Sequence, residues 1–202
     1  MSSSSKYLSA EERRAMTVRA VLELAAVHNP SEITTTDIAR RMGLSQGGVF
    51  RHFSTKDEIW RAVMEWVATE LYSRVSAAAQ AAASPLASLE AMFHAHVGFA
   101  LEYPGVPRML FAELQKAEST PAKIAVVTLL ERYGRLLAQT LEQGKEAGQI
   151  DAAIPVPTAC SLFVGAIQGL IIKGALLGDF ELMRTNASET YGLFLRAVRK
   201  DP

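Results

Sequence analysis

The chain has one cysteine, no charge imbalance and no long uninterrupted apolar run, and each shortfall removes a class of protein. Cys160 alone cannot close an internal disulfide, which suits a reducing, cytoplasmic setting. Lys plus Arg number 21 and Asp plus Glu number 21, giving no net charge. That excludes a chain that coats nucleic acid through global basicity, so any DNA contact must come from a local patch. The most apolar stretch, 162–177, is shorter than the roughly 20 residues a bilayer needs and contains Gln168 and Lys173, so no membrane association is expected. Met1 to Lys6 is a serine-rich start without an apolar segment. It is not a signal peptide and reads as part of a disordered tail over residues 1–8.

Catalytic signatures are missing as well. There is no histidine–carboxylate metal motif, no glycine-rich phosphate loop before a helix and no nucleophile elbow, so neither enzyme activity nor a cofactor is expected. His94 and His96 lie two apart on a helix and do not share a face, so no metal site is expected. Cys160 falls in an apolar helix, where a buried thiol is inert.

Helix punctuation is dense, and strand signals are nearly absent. With 49% hydrophobic residues the chain can build a sizeable core. Ser9 with Glu12 is a capping box for a first helix, which Asn29-Pro30 stops. Thr34 with Asp37 opens a second helix that ends at Gly43, and Ser45 caps a brief third through His52. Ser54 with Asp57 opens a fourth that reaches about Ala83. Ser84-Pro85, Pro107, Thr120-Pro121 and Pro155/Pro157 mark the starts of four more, since proline is tolerated in a first helical turn. Gly178-Asp179 precedes the ninth, with Asn186 and Glu189 as an alternative cap. The fold class is all-α: a three-helix head, residues 9–54, and a six-helix body, residues 55–202.

The segment from Ile33 to Trp60 carries the chemistry. Two short helices flank Gly43-Leu44-Ser45 with helix-turn-helix spacing. Ile38, Ala39 and Met42 form the inner side of the first, and Val49 and Phe53 that of the second. Gln46, Gly47, Gly48, Arg51 and His52 remain outward. Glutamine can pair with adenine and arginine with guanine, and either can hold a phosphate. The glycines fit a backbone that approaches a groove wall, or equally a flexible turn.

The pattern of Thr34, Thr35, Asp37, Ile38, Ala39, Gly43, Leu44, Ser45, Val49, Phe50, Arg51, His52, Phe53 and Lys56 resembles the DNA-binding head of the tetracycline-repressor (TetR) family. The resemblance implies a dimeric, ligand-responsive regulator of palindromic double-stranded DNA operators. Thr35 and Thr36 would meet phosphate or a base edge, and Ser45, Gln46, Gly47 and Gly48 would open the recognition helix in the major groove. Arg51 and His52 would reach the backbone or an edge base, and Lys56 would hold a phosphate. The family usually has tyrosine where this chain has Phe50, which keeps the ring but loses a donor. Helix one also ends in His28-Asn29-Pro30 rather than the usual aromatic-and-glycine ending.

In the body, Leu89, Phe93, His96, Ala100 and Tyr103 share a helix face, and Tyr133 interrupts a stripe of Val126, Leu130, Leu137 and Leu141. Each polar residue reads either as a satisfied core group or as an anchor in a ligand pocket. Met64, Trp66, Met109, Phe111, Phe163 and Gln168 complete the candidate lining, which suits an apolar or aromatic small molecule. The eighth helix is apolar nearly all round, and small residues Gly165, Ala166, Gly169 and Gly174 permit close approach by another helix. The resemblance places a homodimer interface on the last two helices, with Gly165, Gly169, Ile172, Leu176 and Leu193 as its residues. The alternative is the central helix of a monomeric body. For function, the alternative to a ligand-released repressor is a chromosome-organisation or division factor controlled by a protein partner. The ITTTDIA opening, Ile33 to Ala39, and the Tyr103-Pro104-Gly105 turn superficially resemble that subgroup.

Overall fold

The computed structural model describes residues 9–200, so the expected tail over residues 1–8 lies outside the described residues. The described chain is all-α, with nine α-helices, a short 3-10 turn at Pro30–Glu32 and no strand. The helices are α1 (Ala10–Val27), α2 (Thr35–Arg41), α3 (Gln46–Phe50), α4 (Lys56–Ala81), α5 (Pro85–Glu102), α6 (Val106–Gln115), α7 (Pro121–Glu146), α8 (Val156–Leu177) and α9 (Phe180–Val198).

Local chemistry sets most of these boundaries. Ser9 and Glu12 close a reciprocal capping box on α1, with the Ser9 amide donating to the Glu12 carboxylate at 2.7 Å and the Glu12 amide to the Ser9 hydroxyl at 3.1 Å. Two of the unsatisfied amides of the first turn are thereby engaged. Ser84 caps α5 by accepting from the Ala87 amide, with Pro85 in the first turn. Gly178, at φ 66°, ends α8 in the left-handed conformation that side chains rarely adopt.

Two local expectations shift, and one open alternative is decided. The cap of α4 is Thr55, whose hydroxyl accepts from the Glu58 amide at 3.2 Å, while the Ser54 amide donates to the Glu58 carboxylate. The expected pair Ser54 and Asp57 is therefore displaced by one residue. Asp179 caps α9 by accepting from the Leu182 amide, and the helix continues through Asn186 without interruption. The apolar helix α8 runs for 22 residues, so it is long and apolar enough to cross a membrane by length and composition. The shortness of its most apolar stretch therefore excludes nothing. It nevertheless carries one buried stripe, Ala159, Phe163, Ile167, Leu170, Ile171 and Gly174, as the core helix of a folded domain does.

Two compact units result. One comprises residues up to Val67 together with Gly105–Val126, and the other Ala68–Pro104 with Val127–Pro202. In the first, α1 packs on α2 and α6, and α2 on α3. Val21, Ala25, Ile33, Ile38, Val49, Phe53, Ile59 and Met109 lie in its core. Gly105 approaches α1 so closely that a Cβ there would lie 2.6 Å from the Ala25 carbonyl oxygen. The Glu113 carboxylate is buried in the same unit, accepting from Lys116 Nζ at 2.5 Å and the Thr120 hydroxyl at 3.2 Å. In the second unit α5, α8 and α9 pack on one another. The turn after α7 is tied to the chain end through the Ile150–Arg199 bridge and the Asp151 amide, which donates to the Val198 carbonyl.

Candidate functional site

The head is assembled by short-range bonds. Thr34 and Asp37 form the capping box of α2, with the Asp37 amide 3.2 Å from the Thr34 hydroxyl and the Thr34 amide 3.0 Å from the carboxylate. The Thr34 bonds hold the Asp37 carboxyl below the usual aspartate range. Gly43 takes φ 67° after α2, and the Leu44 amide donates to the Ala39 carbonyl. The Ser45 hydroxyl then accepts from the Gly48 amide at 3.2 Å and starts α3. Val49 and Phe53 are buried, and the Arg14 guanidinium covers the Phe53 ring 4.7 Å from its centroid.

This packing turns the other face of α3 outward. Ser45, Gln46, Gly47 and Arg51 are exposed, Gly48 and His52 half-buried. The side chain of Phe50 lies outside the described residues. Thr36 is exposed and Thr35 half-buried, and the Gln46 side-chain amide donates to the Thr35 hydroxyl at 3.0 Å. Lys56 is half-buried with its ammonium 5.1 Å from the Trp60 ring centroid. A groove of about 650 Å³ runs between the start of α1, at Ser9, Ala10, Glu12 and Arg13, and Ser45, Gly48, Arg51 and His52 in and around α3. That groove has no signature in the sequence, because it arises where distant segments meet. Arg40 Nη1 is 3.3 Å from Asp37, three residues before it, whereas the partner of Arg41, Glu23 at 2.6 Å from Nε, comes from another helix and had no sequence signal.

Four of the candidate lining residues fall in the first unit: Met64 and Met109 are fully buried, Trp66 and Phe111 half-buried. The other six fall in the second. Phe93 and Phe163 are fully buried and meet edge to face at 5.5 Å between centroids, joined by Tyr191 and Phe194. The Tyr191 hydroxyl donates to the Leu86 carbonyl at 3.0 Å, and its burial raises its pKa. Sequence reasoning named neither Tyr191 nor Phe194, although both recur on the apolar stripe of α9. Tyr103 lies beside Phe99 under the Arg74 guanidinium, which also pairs with Glu70 at 2.7 Å and with Glu102. Burial raises the Tyr103 pKa, and the Arg74 bond lowers that of Glu102. Gln168 is half-buried.

His96 and Tyr133 are brought together. Nδ1 of His96 is 3.3 Å from the Tyr133 hydroxyl, and the rings meet edge-on at 5.5 Å. Desolvation pushes the His96 pKa down to about 4 and raises that of Tyr133, so both groups are neutral near pH 7.

The five residues assigned to a homodimer interface share one condition. Gly165, Gly169, Ile172, Leu176 and Leu193 are all exposed, with Leu176 at 81% and Leu193 at 61%. Leu162, also exposed, extends the same face. Beyond their own helix backbone, no atom of the described residues lies within 4 Å of a Cβ built on Gly165 or Gly169, so among the described residues the stripe has no cover there.

A helix-turn-helix with a short outward recognition helix and an all-α body defines the class: a DNA-binding regulator. The model described as "Bacterial regulatory proteins, tetR family" matches residues 17–63. Residues 17–63 thus carry the DNA-binding domain of the TetR family, and the solved structures that the whole chain resembles in fold include TetR-family regulators. A curated relative, the nucleoid occlusion factor SlmA of Marinomonas sp., is 22% identical over 160 residues, covering 79% of this chain and 81% of its own. A TetR transcriptional regulator from Chloroflexus aurantiacus superposes with a TM-score of 0.81 at 16% identity, over 95% of this chain and 98% of that one. FadR from Bacillus subtilis, solved in complex with stearoyl-CoA, superposes with a TM-score of 0.77 at 15% identity, over 90% and 97%.

Proposed function

We propose that the protein is a homodimeric repressor that binds a palindromic operator and is released from it by a mostly apolar small molecule. The observation that carries the reading is the Ser45-capped start of α3, which leaves Gln46 and Gly47 exposed beside Arg51. In this reading Thr35, Thr36, His52 and Lys56 hold the flanking phosphates, and Gln46, Gly47 and Gly48 enter the major groove. The chain as a whole is uncharged, so attraction to DNA comes from this one surface. The division into a head of residues 9–54 and a body of residues 55–202 is part of the proposal. So is the exposed stripe of α8, which a second copy would cover, setting two recognition helices at the spacing of two half-sites. Effector control then requires that the ligand favour one arrangement of the two heads over another.

The test is fluorescence anisotropy on DNA from the flank of the protein's own gene, with a screen of apolar aromatics and fatty acids against phosphorylated metabolites. Specific, salt-sensitive binding relieved by apolar compounds supports the reading. Relief by phosphorylated compounds alone overturns its ligand class. A second reading, a chromosome-organisation or division factor under a protein partner, draws on the name of the Marinomonas relative. It predicts many genomic binding sites and no small-molecule release.

A further inference from the structure

We propose that the groove between the start of α1 and α3 holds one sugar–phosphate strand of the operator, with Arg13 as a phosphate-binding residue outside the helix-turn-helix. The inference rests on the DNA-binding reading above and extends its contact surface to a helix that the motif does not include. Arg13 lines one wall of the groove, and Ser45, Gly48, Arg51 and His52 line the other. Ser45, Gly48 and Arg51 also belong to the outward side of α3, where Gln46 and Gly47 are exposed. A duplex seated on α3 therefore passes a strand over the groove. The Ser45 hydroxyl accepts from the Gly48 amide at 3.2 Å, and its own O–H remains a donor for a phosphate oxygen.

Charge sets this groove apart from its surroundings. Arg40, Arg41 and Arg61 each face a carboxylate, those of Asp37, Glu23 and Glu65, and Arg14 lies over the Phe53 ring. Among the described residues no ion pair involves Arg13 or Arg51. Glu12 is the one acid among the lining residues, and its carboxylate turns back onto the Ser9 amide at 2.7 Å. That bond holds its pKa below the usual glutamate range, so the carboxylate is committed to the cap of α1. Two guanidinium groups against one engaged carboxylate leave the groove positive, and the guanidinium fork suits phosphate oxygens. Gly48 points the same way. Its φ is not positive, and a Cβ there would make ordinary contacts, 3.5 Å from Leu44 Cβ and from Ser45 Oγ. Neither backbone nor packing calls for glycine at that position, and glycine weakens a short helix. What the missing side chain secures is an open groove.

Fluorescence anisotropy on the full-length protein tests this with a duplex from the flank of its own gene and a scrambled duplex of equal length. Arg13→Gln should weaken both about tenfold and lower the salt slope by about one, because a phosphate contact carries no sequence information. Arg13→Lys, which keeps the charge, should keep the slope. Gly48→Leu, which fills the groove, should weaken both duplexes by about tenfold or more, with far-UV circular dichroism confirming that each variant is folded. Single phosphates of the gene-flank duplex are then replaced, one at a time, by uncharged methylphosphonates. One replacement should weaken wild type and leave Arg13→Gln unaffected, a coupling that a merely structural role of Arg13 would not produce. Wild-type affinity and slope in Arg13→Gln, equal losses in both proteins at every replaced phosphate, or undiminished binding by Gly48→Leu each overturn the inference and leave DNA binding standing. If wild type binds neither duplex even at low salt, the DNA-binding reading falls, and this inference with it.

Discussion

The side-chain amide of Gln46 donates to the hydroxyl of Thr35 at 3.0 Å, joining the first residue of α3 to the first of α2. One amide proton is thereby committed, while the second proton and the carbonyl oxygen remain, the two groups a glutamine uses on adenine. If α3 enters the major groove as proposed, the bond fixes the direction of the side chain beforehand, which lowers the ordering cost of reading a base. Gln46→Ala is therefore expected to reduce the preference for operator over random DNA by about 1–3 kcal/mol. Thr35→Val should give a smaller loss of the same kind. Lys56→Ala should instead weaken all sequences alike and lower the salt slope by about one. Anisotropy titrations at several salt concentrations decide it: an unchanged specificity ratio for Gln46→Ala removes that residue from base readout.

Position 105 offers a test of the packing in the first unit. The glycine has an ordinary φ of −77°, so its need is for space and not for unusual backbone. A Cβ would meet the Ala25 carbonyl carbon, its oxygen at 2.6 Å and its own Cβ at 2.7 Å. Backbone cannot step aside as a flexible side chain can. Gly105→Ala should cost about 1–3 kcal/mol, read as a lower urea midpoint. A midpoint equal to wild type would mean that α1 and α6 separate without cost.

The caps of α1, α2, α3 and α5 were legible in the sequence because a cap is a local event. Ser9 with Glu12 or Ser84 with Pro85 needs nothing beyond its own turn. Even so, Ser54 and Thr55 offer adjacent hydroxyls, and only the path of the chain into α4 selects Thr55. Pairings between helices were not legible. His96 and Tyr133 each read as a polar interruption of an apolar stripe, but their meeting depends on how α5 crosses α7. The acids opposing Arg40 and Arg41 divide in the same way, since Asp37 is three residues away and visible, whereas Glu23 comes from another helix. Burial of the Glu113 carboxylate had no sequence signal at all, because its partner Lys116 makes the segment look like an exposed charged turn.

His96 also makes stability depend on pH. Its pKa is pushed from the ordinary 6.5 down to about 4 in the folded state, so on acidification the unfolded chain takes up the proton first. Stability is complete above about pH 6.5 and is lost as pH falls toward about 4, by at most about 3 kcal/mol for this group. The carboxyls of Asp37 and Glu102, whose pKa values are lowered, add losses of the same sign at lower pH. The informative quantity is thus the difference between wild type and His96→Phe. Denaturant melts at pH 7.5 and pH 5 should show wild type losing more stability than the variant, and parallel losses would contradict a buried neutral imidazole.

The stripe on α8 gives a test in which folding and assembly separate. Beyond its own helix backbone, no atom of the described residues lies within 4 Å of a Cβ built on Gly169, so a larger side chain has room there. Gly169→Leu should therefore leave the monomer's fold intact and can even favour helix, since glycine is a poor helix former. If a second copy covers Leu162, Gly165, Gly169, Ile172 and Leu176, the added leucine blocks close approach of the paired helices, and overpacking costs typically about 1–3 kcal/mol. Sedimentation velocity should show wild type as a dimer at micromolar concentration and Gly169→Leu shifted toward monomer, with unchanged far-UV circular dichroism. Binding to a palindromic operator should weaken in step, because half-sites held by separate monomers lose the gain of joint engagement. A wild-type protein that sediments as a monomer at micromolar concentration would refute the proposed interface, and a dimer indifferent to leucine at 169 would move it to another face.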